Sequence, residues 1–177
     1  MDVQIKCIGL WASVSASNEV RIGNNSVTSI GGVVDWSTTS DGRVKRNIKQ
    51  DVPGLLFINK LQPVTYNLDM QKLKDKIYGK KADVIFKDPF WKEAFGEKGR
   101  ISYSGFSAQA VESAANAAGY DFSGVHHPVN SDDHYTISYA DFVVPLVKAV
   151  QEQQEQIAIL QKLVKDQQAQ IDALKNK

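Results

Sequence analysis

One short stretch of the chain, residues 39–48, holds side chains whose types could do chemistry. Ser40 supplies a hydroxyl, and Lys45 supplies an amine within a run that also contains Arg43 and Arg46. A serine hydroxyl is a poor nucleophile until another group takes its proton, and a lysine is protonated at neutral pH unless burial or nearby like charge disfavours the cation. Taken alone, Ser-Asp-Gly is typical of a turn, and the cations after it are typical of a solvated face.

The spacing of Ser40 and Lys45 sets a condition on the backbone between them. Residues five apart lie on opposite faces of a strand, and about 140° apart around a helix. Neither regular element brings the two side chains together, so a contact between them requires a turn. Gly42 is the position where a turn costs least, because glycine has no Cβ.

A second group of candidate ligands lies near the end of the globular part. It consists of three histidines and two aspartates, namely His126, His127, Asp132, Asp133 and His134. The group lacks both a helical i,i+4 ligand pair and a fixed zinc spacing. We interpret it as a polar loop and predict neither a metal nor a cofactor.

Nucleic-acid binding is not predicted either. The lysines of residues 72–81 are interspersed with aspartate, and no aromatic platform for stacking bases accompanies them. Gly31-Gly32 lacks the pattern of a phosphate-binding loop. The formal net charge of +1 creates no global field toward nucleic acid or an acidic membrane.

The length of 177 residues suits one globular domain with extensions. Cys7 is the only cysteine, which excludes an internal disulfide and a cysteine-rich zinc site. No apolar run approaches the ~20 residues that span a bilayer, and the N-terminus lacks the pattern of a signal peptide. We therefore expect no membrane insertion.

Residues 1–39 are predicted to be the end of a β-structured stem. Val20–Ile22 and Val27–Ile30 alternate apolar and polar side chains, and Gly23 and Gly31-Gly32 supply turn chemistry. These strands are too short and too few to bury a core alone. They would stack on a longer stem or on sister chains, and the alternative is an unstructured leader.

Residues 40–142 predict a small mixed α+β domain, because their helices and strands alternate too irregularly for a doubly wound parallel sheet. The predicted elements are a helix over 52–61, a strand over 63–66, a lysine-rich excursion over 70–100 with short helices and an aromatic cluster (Phe86, Phe90, Trp91, Phe95), a strand over 101–106, a helix over Ala108–Ala118 closed by Gly119, and a strand over Tyr135–Tyr139.

Residues 143–177 have the spacing of a coiled coil. Heptad a positions hold Val143, Val150, Ile157, Val164 and Ile171, and d positions hold Leu146, Leu160 and Leu174, with Gln153 and Gln167 at the other d positions. β-branched a with leucine d mildly favours two strands, and buried glutamines act as register devices. The pattern alone leaves dimer and trimer open. A helix folded back on the domain is the alternative, but its apolar strip is too long for a small domain to cover.

Four segments, in order, resemble a known family: SDGRVKRNI, LLFINKLQPVTYNLD, GFSAQAVESA and ISYADFVVPLVKAVQEQQEQI. They resemble the C-terminal intramolecular chaperone of endosialidases and other phage tail spikes and fibres, over about Ser40 to Ile157. The most specific piece is S-D-x-R-x-K-x-N-I, because it contains the reactive serine and lysine of that family. The residues upstream resemble the fibre segments that precede this domain in tail proteins of gut bacteria and their phages.

The resemblance implies a self-cleaving serine peptidase that works once. The domain would form a homotrimer through its coiled coil, assist folding of the upstream fibre stem, and then cut its own chain between Thr39 and Ser40. Ser40 would be the nucleophile and Lys45 its base, from the same chain or a neighbour. Arg43 and Arg46 are close enough in sequence to crowd Lys45 with like charge. Assembly is expected in the bacterial host cytoplasm, and the stem in the phage virion tail.

The sequence departs from the family pattern at one position, and it is compatible with two other functions. Ala110 follows Gly105–Gln109 where the family usually has glutamate, while the Ser-Lys pair is intact. The same sequence is compatible with a structural trimerisation cap that never cuts, or with a receptor-binding tip of a tail fibre.

Overall fold

The computed structural model describes residues 6–9, 12, 20–24, 27, 29–131 and 133–176. They form short strands and helices followed by one long helix, which confirms the predicted α+β class. The chain divides into two compact units: Met1–Lys45 with Pro63–Gly105 and His127–Tyr135, and Arg46–Gln62 with Phe106–His126 and Thr136–Lys177. The domain boundaries expected after residues 39 and 142 stay a prediction.

Among its described residues, the first unit contains two small sheets. β1 (Lys6–Ile8) and β2 (Val20–Ile22) pair in parallel, and β3 (Val64–Tyr66) and β4 (Tyr103–Gly105) pair antiparallel. Tyr66 and Tyr103 are directly opposite, with ring centroids 5.7 Å apart. Aromatic cross-strand pairs stabilise such short ladders. The strands predicted around residues 20, 64 and 103 are thereby confirmed.

The strand predicted over Val27–Ile30 is wrong for the residues that the structure describes. Val27, Ser29 and Ile30 belong to no strand, and Thr28 lies outside the described residues. The carbonyl of Val27 instead accepts a hydrogen bond from Lys98 Nζ at 2.7 Å. A lysine side chain thus takes the place of a strand partner, and its partial burial lowers the pKa of Lys98.

The excursion of the first unit is helical, as predicted. It consists of α2 (Met70–Tyr78), α3 (Ala82–Ile85) and α4 (Pro89–Arg100). Asp69 and Asp88 cap α2 and α4 by accepting from backbone N–H groups of the first turns. The ring of Phe86 lies 4.9 to 5.3 Å from those of Tyr78, Trp91 and Phe95, so the aromatic residues pack together.

The second unit is built around an aromatic core. Its elements are α1 (Leu55–Ile58), α5 (Ala108–Ala117), the antiparallel pair β5 (Val125–His126) and β6 (Thr136–Ile137), and α6 (Val143–Lys175). Phe57 is fully buried, with its ring 5.0 Å from that of Phe122 and 5.3 Å from that of Tyr120. Burial raises the pKa of Tyr120, with a further contribution from Asp141. Large aromatic side chains at this density supply most of the stabilisation that a small core can give.

One helix of the second unit is shorter than the sequence prediction. The helix expected over 52–61 is only Leu55–Ile58. In contrast, α5 matches its prediction, and Gly119 follows it with φ +63°, a conformation that glycine adopts without a Cβ penalty. The long α6 is confirmed as a helix. No helix among the described residues is both long and apolar enough to cross a membrane.

Gly54 allows α1 to approach the backbone of α6. A Cβ at this buried position would lie 2.6 Å from the backbone nitrogen of Ala149 and 2.8 Å from the carbonyl carbon of Lys148. The side chain of Glu152 also reaches across, accepting from the backbone N–H of Leu55 at 2.7 Å. The contact is between backbones, so neither neighbour can move aside without separating the helices.

Gly54→Ala should therefore destabilise the protein by ~1–3 kcal/mol, the usual cost of overpacking. The matched control is Gly96→Ala, because a Cβ at that position in α4 meets nothing within 4 Å. Alanine favours a helix over glycine by up to ~1 kcal/mol, so the control should be neutral or more stable. Urea unfolding at a fixed protein concentration measures both, and equal midpoints for the two variants would contradict the close-packing argument.

Candidate active site

A single tight turn separates Ser40 from Lys45. Gly42–Val44 form one turn of 3-10 helix, in which the N–H of Val44 donates to the carbonyl of Asp41 and that of Lys45 donates to the carbonyl of Gly42, each at 3.2 Å. The turn required by the spacing is therefore present. It does not depend on glycine, since a Cβ at Gly42 would meet no atom within 4 Å and its φ is not in the left-handed region.

The turn brings the two side chains into contact. Lys45 Nζ donates a hydrogen bond to Ser40 Oγ at 2.7 Å. This separation lies within the ~2.6–3.2 Å reach of proton transfer. A neutral amine could accept the hydroxyl proton at the same distance.

Asp41 and Arg43 are paired within the same turn. One carboxylate oxygen of Asp41 accepts from the backbone N–H of Arg43 at 2.9 Å, and the two oxygens together accept from its Nε and Nη2. The hydrogen bonds from Arg43 lower the pKa of the Asp41 carboxyl, and the carboxylate raises the pKa of the guanidinium. The sequence suggests Arg43 as a source of like charge near Lys45. In the structure, the carboxylate of Asp41 compensates that charge.

The candidate site lies in the open on a single chain. Thr39, Ser40 and Lys45 are exposed. Nearby apolar side chains are exposed as well, with 86% of Trp36 and 74% of Val44 accessible to solvent. Catalytic pairs need fixed geometry and restricted access of water, and the exposed pair on the single chain lacks the second of these.

Ala110, the position where the resemblance leads us to expect glutamate, lies half-buried in α5. It belongs to the second unit, whereas Ser40 and Lys45 belong to the first. In the helix-capping position before α5, Ser107 Oγ donates to Gln109 Oε1 at 3.0 Å.

The histidine-rich segment forms a loop organised by Asp133. This side chain is 1% exposed and accepts from the backbone N–H groups of Val129 at 3.0 Å and His134 at 2.8 Å. His127 Nδ1 lies 2.9 Å from the hydroxyl of Tyr135. The described residues contain no group of three or more potential metal ligands, and Asp132 lies outside them. The buried aspartate is a loop-closing residue that the sequence reading treated only as a ligand candidate.

The lysines of α2 have partners within the first unit. Lys72 pairs with Asp69 at 3.1 Å, and Lys74 lies 3.4 Å from Asp83. Lys76 Nζ donates to the carbonyl of Ser131 at 2.9 Å. These contacts use the amines for local structure, and Lys74 is buried although the sequence predicts a solvated face here.

The described residues thus combine short helices and strands with a long C-terminal helix, and they place Lys45 in contact with Ser40. Residues 40–120 match the model of a peptidase family described as chaperone of endosialidase. For these residues the match confirms the resemblance to the C-terminal chaperone domain of endosialidase-type tail proteins. No curated protein and no solved structure matches the chain.

Proposed function

We propose that this protein is a trimerisation chaperone of a phage tail fibre or spike that cuts its own backbone once, between Thr39 and Ser40. The observation that supports the proposal most directly is the 2.7 Å contact between Lys45 Nζ and Ser40 Oγ. The family match begins at residue 40, the residue that would become the new N-terminus. A nucleophile at the boundary of its own domain is well placed to release whatever precedes it.

The chemistry needs only the two side chains, the scissile peptide and water. Neutral Lys45 takes the proton of Ser40 Oγ, which bonds to the carbonyl carbon of Thr39. The bond from that carbon to the nitrogen of Ser40 breaks, and the nitrogen receives the proton from the lysine. The result is an ester between Thr39 and the Ser40 side chain. Water then adds to the ester, releasing the carboxylate of Thr39 and the hydroxyl of Ser40. Because the contact forms within one chain, we assign the base in cis.

Assembly as a homotrimer is supported by the two faces of α6. Pro145 and Ala149 are buried and form the face of α6 that packs within the second unit. The a and d residues lie elsewhere on the helix and are exposed, including 62% of Val150 and 60% of Leu160. Together the a and d residues form an exposed apolar strip along α6, which we call the seam. A strip of this length is expected to be covered by other copies of the helix. The chaperone family favours three copies, where the heptad pattern alone leaves two or three open.

The same assembly would complete the site. Trp36 and Val44 flank the scissile bond with exposed apolar surface, and neighbouring chains would cover it and limit the access of water. Cleavage would then follow assembly and not precede it. The upstream stem is the folding client. We place the assembly in the bacterial host cytoplasm and the released stem in the virion tail.

The mass of freshly purified protein tests the proposal. The uncut chain is 19.6 kDa, and cleavage should yield a second species whose N-terminal sequence is Ser-Asp-Gly-Arg-Val, beginning at Ser40. If N-terminal sequencing finds only Met1 after long incubation at neutral pH, the protein is a trimerisation cap that does not cut.

A further inference from the structure

The contact between Ser40 and Lys45 depends on how firmly the turn between them is held. Two backbone hydrogen bonds of 3.2 Å close this turn, which is the long end of the usual range. The turn is exposed, so water competes for each of these bonds. A short, exposed 3-10 turn of this kind does not hold one geometry by its backbone alone.

Asp41 and Arg43 supply the missing restraint. Asp41 precedes the first residue of the turn and accepts from the backbone N–H of Arg43, as an N-cap does. The guanidinium also donates to both oxygens of the same carboxylate, from Nε to Oδ1 at 3.1 Å and from Nη2 to Oδ2 at 2.5 Å. This bidentate arrangement fixes direction as well as distance. One carboxylate therefore fastens both the backbone and the side chain of Arg43; we call this pair the clamp.

Exposed ion pairs usually contribute little to stability, because ordering two long side chains offsets the attraction. The clamp differs in that its partners are two residues apart and share a backbone hydrogen bond, so less freedom is lost on pairing. Its effect is local, and the local quantity that matters here is the fraction of time that Lys45 Nζ lies against Ser40 Oγ. The clamp can govern that fraction without changing the stability of the whole domain.

We propose that Asp41 and Arg43 are positioning residues, which hold the turn so that Lys45 stays in contact with Ser40 during self-cleavage. The inference rests on the proposed function and goes beyond it, since neither residue touches the reacting atoms. The competing account is that Arg43 acts on Lys45 through its positive charge. The two accounts differ in what a neutral replacement elsewhere in the segment should do.

The test measures cleavage rates of the full chain for Asp41→Asn, Arg43→Gln and the double variant. Each single variant should cut roughly tenfold more slowly, equivalent to ~1.4 kcal/mol. The double variant should be no slower than the slower single one, because the two residues act as a unit. Asp41→Ala should be slower than Asp41→Asn, since asparagine can still cap the backbone. Lys49→Gln removes a charge from the same exposed segment and should cut at the wild-type rate.

The pH–rate profile distinguishes a role of Arg43 in positioning Lys45 from an effect of its positive charge on Lys45. If the clamp positions the lysine, the profile of Arg43→Gln keeps its place on the pH axis and its maximum falls. A displaced profile, or equal slowing by Arg46→Gln, would assign Arg43 an electrostatic role and overturn the inference. Additive losses in the double variant would overturn it too.

Failure of the proposed function gives a different result. In that case the wild type yields no fragment beginning at Ser40, and the positioning role falls with it. If the wild type cuts and the clamp variants cut equally fast, self-cleavage stands and only the clamp is refuted. Sedimentation of every variant shows whether a change in rate accompanies a loss of assembly.

Discussion

Replacing Lys45 with alanine is expected to leave the chain uncut while its assembly mass stays the same. The variant removes the amine that lies 2.7 Å from Ser40 Oγ, and loss of a positioned base typically slows a reaction by ~10²–10⁴-fold. Lys45 is exposed, so little packing is lost with it. Ser40→Ala should stop cleavage completely, because no other hydroxyl occupies that position. A time course on a denaturing gel measures both.

The matched control is Lys49→Ala, an exposed lysine in the same segment. It should cut at the wild-type rate. Full-rate cleavage by Lys45→Ala would show that another base serves Ser40, whereas cleavage by Ser40→Ala would remove the nucleophile assignment as well.

The sequence predicts those elements whose cause is local. The heptads predict α6, and Gly119 marks the end of α5 because it follows the last helical turn with positive φ. β5 is missed because Val125–His126 is only two residues long and depends on its pairing with β6. The shortening of the first helix to Leu55–Ile58 also has a distant cause, since its N-terminus is capped by a side chain 97 residues away.

One feature of the candidate site could be predicted from the sequence, and another could not. The need for a turn between Ser40 and Lys45 follows from spacing alone, and the structure places one there. Glycine is not what makes it possible. From the sequence alone, Asp41 and Arg43 are interpreted as part of a solvated, charged segment, because a sequence does not show the direction of the Arg43 side chain. An aspartate followed two residues later by arginine at a predicted turn is the signal that could have revealed it.

A charge placed in the α6 seam is expected to abolish assembly, and cleavage with it. Ile157 occupies an a position and Leu160 a d position, and both are about half exposed or more on the single chain. In an assembled coil they would be buried, with each Å² of apolar surface contributing ~25 cal/mol. Ile157→Asp would bury one unpaired carboxylate per chain at the seam. The cost is several kcal/mol per site and is repeated in every copy.

Ile159→Asp is the control that separates the effect of a charge in the seam from the effect of losing an exposed apolar side chain elsewhere on α6. Ile159 is two residues further along the same helix and is more exposed than Ile157, at 60% against 46%, but it lies at a c position, away from the a/d seam. The same substitution there should leave assembly and cleavage unchanged. Sedimentation equilibrium reports the mass, and a gel of the same samples reports the cut. A wild-type mass of one or two chains refutes the trimer. If Ile157→Asp is monomeric and still cuts at the wild-type rate, the single chain already holds a complete site, and the proposed dependence of cleavage on assembly is wrong.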